Sequence, residues 1–193
     1  MVSIALLDAD CLHKLYLRGL LIWLASYRLY RPRWTAEILD ETIRSIVRRF
    51  PSDHVKIDSH IRSMADRFPE ADIVGYQHLV GSLDCPDPED EHVLAAAITG
   101  RVGALVTFNI KDFPKNTKEL YGIDLIHPES FLLDLVANNT GAFLDATSKW
   151  YAGYKSPVLS VQDLAEAMRE LGCPNFATFL LSESQVILSM VEA

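Results

Sequence analysis

The chain has 193 residues, of which 49% are hydrophobic and 23% charged, a profile that excludes disorder and collagen-like repeats. Eighteen Lys and Arg against 26 Asp and Glu leave a net charge of -8, which argues against a general nucleic-acid coat, and three widely spaced cysteines (Cys11, Cys85, Cys173) argue against a disulfide framework and for a reducing cytoplasm. The apolar run Ile4–Leu7 stops at Asp8 and Asp10, and Leu15–Leu29 is interrupted by Arg18 and Arg28, so neither a signal peptide nor a membrane span is expected.

Ser3–Leu7, short and apolar and closed by an acid, reads as a buried strand. Leu12–Leu29 then sets Leu17, Leu20, Leu21 and Leu24 on one helical face, and Arg31-Pro32-Arg33-Trp34 is expected to stop that helix. Thr35 is an N-cap candidate for a second helix with Glu37 and Asp40 early and Arg48-Arg49 late. A polar helix is expected from Pro51 to about Arg67, a loop or short strand at Asp72–Gly75 and a turn at Cys85–Pro88. Glu89-Asp90-Glu91 lead an Ala-rich helix from His92 to Thr99. Ala104–Thr107 and Ile123–Ile126, separated by one short helix, read as parallel strands. No strand pattern returns after Ser130. Tyr151–Pro157 reads as a linker, Ser160 with Asp163 as a capping box before the stripe Leu164, Ala167, Met168 and Leu171, Gly172 as a stop, and a last helix begins near Pro174.

This alternation predicts a three-layer α/β/α domain with a central parallel sheet over residues 1–150, followed by a small helical extension over 151–193. In such a domain the polar groups at strand carboxyl ends converge on one edge. Asp8, ending a buried strand, must be solvated, paired or bound to a cation. Glu41 lies within an apolar helical face, Asp90 begins the Ala-rich helix, and Asp112 follows the strand that ends at Thr107. Singly, Glu41 also reads as a surface residue, Asp90 as a helix-dipole acid and Asp112 as a turn former. As a ring of carboxylates without His or Cys they select a hard ion, Mg²⁺ or Mn²⁺, and such ions serve phosphodiester chemistry.

Four blocks then carry a resemblance: Ala5-Leu6-Leu7-Asp8-Ala9-Asp10; Trp34-Thr35 with Glu41 six residues on; Asp87-Pro88-Glu89-Asp90-Glu91-His92 running into Ala95-Ala96-Ala97; and Val106-Thr107-Phe108-Asn109-Ile110-Lys111-Asp112-Phe113. Over about residues 2 to 135 the chain resembles the PIN domain family, and its helical tail resembles that of some VapC-type toxins in this group. The resemblance implies a Mg²⁺-dependent, single-strand-preferring ribonuclease, commonly the toxin of a type II toxin–antitoxin pair, with RNA, an antitoxin protein and a second copy of the chain as partners. It places metal acids at Asp8, Glu41, Asp90 and Asp112, with Thr107 and Asn109 supporting the fourth. Asp10 stands where the pattern more often has Asn or another neutral residue, and Glu37 and Asp87 compete with Glu41 and Asp90.

An apolar strand entering D-x-D also opens haloacid-dehalogenase-like phosphatases, with the first Asp as nucleophile and the second as general acid; that alternative expects Thr or Val near position 12, which is Leu12 here. A catalytically inactive PIN-like binding module is the third reading. Charge is uneven: residues 1–67 hold 11 Lys and Arg against 8 acids, the remainder 7 against 18. Arg18, Arg31, Arg33, Arg44 and Arg48 are therefore the expected phosphate contacts of an otherwise acidic protein.

Overall fold

The computed structural model describes residues 3–154 and 159–192. Strands β1 (Ser3–Leu7), β2 (Tyr30–Arg33), β3 (Ala104–Val106) and β4 (Asp124–Ile126) form one sheet in the order β2-β1-β3-β4. β1 and β3 run parallel with Leu7 opposite Val106, and β3 and β4 run parallel with Val106 opposite Ile126. Neighbouring parallel strands require helical crossovers, which is the expected α/β class. The ladder runs one residue past the strand ends: Asp8 N–H donates to the Val106 carbonyl and Thr107 N–H to the Ile126 carbonyl, both at 3.1 Å. Asp8 and Thr107 therefore stand next to each other at the carboxyl edge.

The chain sorts into two compact units, residues 1–14 with 31–127, and residues 15–30 with 128–193. In the first, α1 (Ala9–Leu12) follows β1 directly, and α3 (Ala36–Arg49) starts on Thr35, whose hydroxyl accepts from Ile38 N–H at 3.1 Å. α4 (His54–Asp66) packs on α3. α5 (Glu91–Thr99) is buried continuously from Glu91 to Ala97, its alanines allowing close packing on β3. α6 (Thr117–Tyr121) lies between β3 and β4 and ends at Gly122, whose φ of 72° favours glycine.

The second unit holds α2 (Leu15–Ser26), α7 (Pro128–Asn138), α8 (Thr140–Ala152), α9 (Val161–Glu170), α10 (Pro174–Ser182) and α11 (Ser184–Glu192). Leu17, Leu20, Leu21 and Leu24 of α2 are fully buried, as their spacing predicts. Both halves of the Ser160–Asp163 capping box form, and the Glu129 carboxylate accepts from the Asn175 and Phe176 N–H groups at the start of α10.

The structure departs from the sequence expectations in three places. Arg31-Pro32-Arg33 is a strand and not a helix stop; Pro32, which cannot donate to a ladder, is tolerated because β2 is at the sheet edge. The helix expected from Leu12 to Leu29 is broken at His13 and Lys14 into α1 and α2. The last helix is two, α10 and α11, parted at Glu183. Within the second unit α7 and α8 pack with α10, α11 and α2. Of the expected linker, residues 155–157 lie outside the described residues, while Tyr151 and Ala152 finish α8. No helix among the described residues is long and apolar enough to cross a membrane.

Candidate active site

Asp8 is 5% exposed and its carboxylate is held by two donors at the sheet edge. Its Oδ1 accepts from the Ala9 N–H at 2.6 Å, capping α1, and its Oδ2 lies 2.8 Å from the Thr107 hydroxyl. Thr107 is itself fully buried, and its hydroxyl oxygen accepts from the Asn109 N–H at 3.0 Å, so the turn after β3 sets the hydroxyl against the acid. Burial pushes the Asp8 carboxyl up to about 7, and the charges of Asp10 and Asp90 push the same way against the Thr107 and Ala9 hydrogen bonds.

Asp10 has its oxygens occupied. Oδ2 accepts from the Phe108 N–H at 2.8 Å and lies 3.0 Å from the Thr107 hydroxyl, and Oδ1 faces the Cys11 thiol at 3.1 Å. The single hydroxyl proton of Thr107 serves one of the two aspartates at a time.

The remaining acids fall into two groups. Asp87, Asp90 and Asp112, all half-buried, offer carboxylate oxygens within 4.8 Å of one another. They are brought together by the turn before α5 and the short helical turn Ile110–Asp112, which are tied where Asp87 N–H donates to the Asp112 carbonyl at 3.3 Å. Glu91, 7% exposed, anchors the preceding loop by accepting from Leu83 N–H at 2.5 Å. Burial raises Asp90 to about 6, helped by Asp87, Asp112 and Asp10, while His92 draws it down. The second group is Glu37, Glu41 and His92, with His92 Nε2 3.3 Å from Glu41 and Nδ1 3.6 Å from Glu37. Burial works against the His92 cation, but the hydrogen bond and charge of Glu41, then Glu37 and Asp8, prevail and raise its pKa.

The four acids singled out from sequence thus do not form one tight cluster. Asp90 and Asp112 share a set of oxygens with Asp87; Asp8 repels Asp90 and is fixed by Thr107; Glu41 is paired with His92. The all-oxygen group suits a hard divalent ion, whereas in the other group a protonated His92 offsets one of the two carboxylate charges of Glu37 and Glu41. Asn109 is exposed in the turn after Thr107. His92, in a helix buried from Glu91 to Ala97, meets Glu37 and Glu41 of α3, a contact between distant segments that local sequence pattern does not carry.

The expected cations are dispersed. Arg18 is 6% exposed within the second unit, where burial lowers its pKa. Arg31, Arg44 and Arg48 are exposed, Arg33 is half-buried, and Arg44 bridges Glu41 at 3.6 Å. Lys14, which composition did not single out, follows α1 and has its ammonium 4.7 Å from the centroid of the Phe108 ring.

Residues 6–111, more than half of the chain, match the PIN domain family. The chain belongs to that family. Residues 128–182 match the VapC50 C-terminal domain, a span that falls within the second compact unit. The PIN-domain chain is 34% identical over 107 residues, 53% of its length, to a protein of Mycobacterium tuberculosis (strain ATCC 25618 / H37Rv) named "Putative ribonuclease VapC50", and the match spans 60% of that protein. No solved structure is significantly similar. PIN membership displaces the haloacid-dehalogenase alternative.

Proposed function

We propose that this PIN-domain protein is a Mg²⁺- or Mn²⁺-dependent endoribonuclease, acting in the cytoplasm as the toxin of a type II toxin–antitoxin pair. The observation that carries the reading is the gathering of the Asp87, Asp90 and Asp112 carboxylate oxygens within 4.8 Å of one another, with the buried Asp8 carboxyl near enough for its charge and that of Asp90 to repel. Acids that repel one another in a desolvated cleft are tolerable when a cation is bound there. Asp8, Asp90 and Asp112 are the residues we assign to hold it, with Asp87 adjacent and Glu41, paired with His92, as the fourth acid of the proposal. When bound, the ion supplies neutralisation of phosphate charge and acidification of water. The protein's own part is positional. Thr107 orients Asp8, Asp10 clamps the turn that carries Phe108 and Asn109, and His92 holds Glu41.

The ribonuclease name of the mycobacterial relative and the match of the tail to the VapC50 C-terminal domain support the same reading, which adds an antitoxin and a second copy of the chain as partners. The test is incubation of the purified protein with end-labelled single-stranded RNA in Mg²⁺, in Mn²⁺ and in EDTA. Internal cleavage is expected with either ion, none in EDTA, and none from Asp8→Asn or Asp90→Asn. Cleavage that persists in EDTA overturns the metal assignment; a protein that cuts no RNA while binding it is the inactive module.

A further inference from the structure

Lys14 closes the break between α1 and α2, and two groups touch its ammonium: a His13 ring nitrogen at 3.1 Å and the face of Phe108, 4.7 Å from the ring centroid. Neither is a carboxylate, in a neighbourhood dominated by acids. The reason lies in Asp10, four residues earlier, whose oxygens are taken up by the Phe108 N–H, the Thr107 hydroxyl and the Cys11 thiol. Phe108 follows Thr107 directly, so its ring stands at the same carboxyl edge as Asp8. There it is braced by the His127 ring, perpendicular to it with centroids 5.0 Å apart. Lys14, Phe108 and His127 are each half-buried, so the cation is fixed in place yet reachable from solvent.

An ammonium held on an aromatic face keeps its charge for an outside anion, because the cation–π contact is weak beside a charge pair and asks for no proton. A carboxylate partner would have cancelled that charge. Phe108 directly follows Thr107, the partner of Asp8, and Lys14 follows Asp8 by the one-turn α1, which suits a phosphate next in line to the one being cut. We infer that Lys14, steadied by Phe108, binds an RNA phosphate adjacent to the scissile phosphodiester. This rests on the ribonuclease reading above.

The experiment measures binding of a fluorescein-labelled 20-nucleotide single-stranded RNA by anisotropy in Ca²⁺ across a salt series, and melting temperature across a Mn²⁺ titration, for the wild type, Lys14→Ala, Lys14→Arg and Phe108→Leu. Lys14→Ala should weaken binding of unrelated RNA sequences alike, by about 3- to 10-fold near 0.1 M salt, and should reduce the salt slope by about 0.7. Lys14→Arg should restore most of the affinity, and Phe108→Leu should fall between. The Mn²⁺-dependent rise in melting temperature should be that of the wild type in all three, which also shows that they fold. Unchanged affinity and slope in Lys14→Ala overturn the inference and leave the ribonuclease reading intact, as does a loss of the Mn²⁺ effect, which would place Lys14 in the acid cluster. A wild type that binds no RNA overturns both.

Discussion

The Thr107 hydroxyl lies 2.8 Å from Asp8 Oδ2, one residue beyond the paired ends of β1 and β3, so the sheet register itself delivers the donor to the acid. This hydrogen bond lowers the Asp8 pKa against the burial and charges that raise it. Thr107→Val keeps the shape and deletes the donor, and it also leaves the Asn109 N–H without its acceptor. The expected loss is about 1–3 kcal/mol of stability, with a weaker Mn²⁺-dependent rise in melting temperature. Thr107→Ser should recover both. Mn²⁺ dependence equal to that of the wild type in the Val variant would show that Thr107 does not position Asp8 for a cation.

Asp8→Asn should stabilise the cation-free protein. An acid whose folded pKa is raised from 3.8 to about 7 binds its proton more tightly when folded, so stability falls as pH rises through that window and the cost is complete above it. At pH 8 the variant should gain on the order of 1–3 kcal/mol over the wild type, and the gain should vanish near pH 4. Melting curves at the two pH values, in EDTA, decide it. With Mn²⁺ present the order should invert, since only the wild type retains the full set of acids for the ion to stabilise.

His92 gives a pH dependence of the same direction from the opposite charge type. Its pKa is raised in the folded state, so the ion pairs with Glu41 and Glu37 contribute fully below the ordinary histidine value of 6.5 and are lost as pH rises through the folded pKa. His92→Gln should flatten that part of the stability profile and reduce cleavage, because Glu41 loses its partner. An NMR titration that puts the His92 pKa at or below 6.5 would refute the pairing.

Much of this site was legible because its chemistry is carried by local pattern. The apolar run stopped by Asp8, the Thr35 cap and the acids before an Ala-rich segment are each fixed within a few residues. What was hidden depends on register and on distant partners. Nothing near Asp10 announces that it meets Phe108, 98 residues away, and Glu41 meets His92 only because α3 and α5 face each other. β2 escaped because Pro32 reads as a breaker unless the strand is known to be at an edge. Arg18 drew notice as charge within an apolar helix, and burial removes it from the exposed cations.

The exposed arginines carry the last expectation. The acids Asp8, Asp10, Asp87, Asp90 and Asp112 should repel a polyanion, and Arg31 and Arg48 are exposed on β2, which lies beside β1, and on α3, which supplies Glu41. Arg44 differs from both because it already bridges Glu41 at 3.6 Å, an exposed pair worth under about 1 kcal/mol. Arg31→Glu and Arg48→Glu should each weaken RNA binding without regard to sequence and flatten the salt dependence, since phosphate contacts carry no base information. Arg44→Glu should in addition impair cleavage at saturating RNA, because it sets a like charge beside Glu41. Anisotropy across a salt series and single-turnover cleavage separate the two effects. If all three reversals leave affinity and salt slope at wild-type values, these arginines are solvation alone, and the cations that bring RNA to the acids lie elsewhere on the chain.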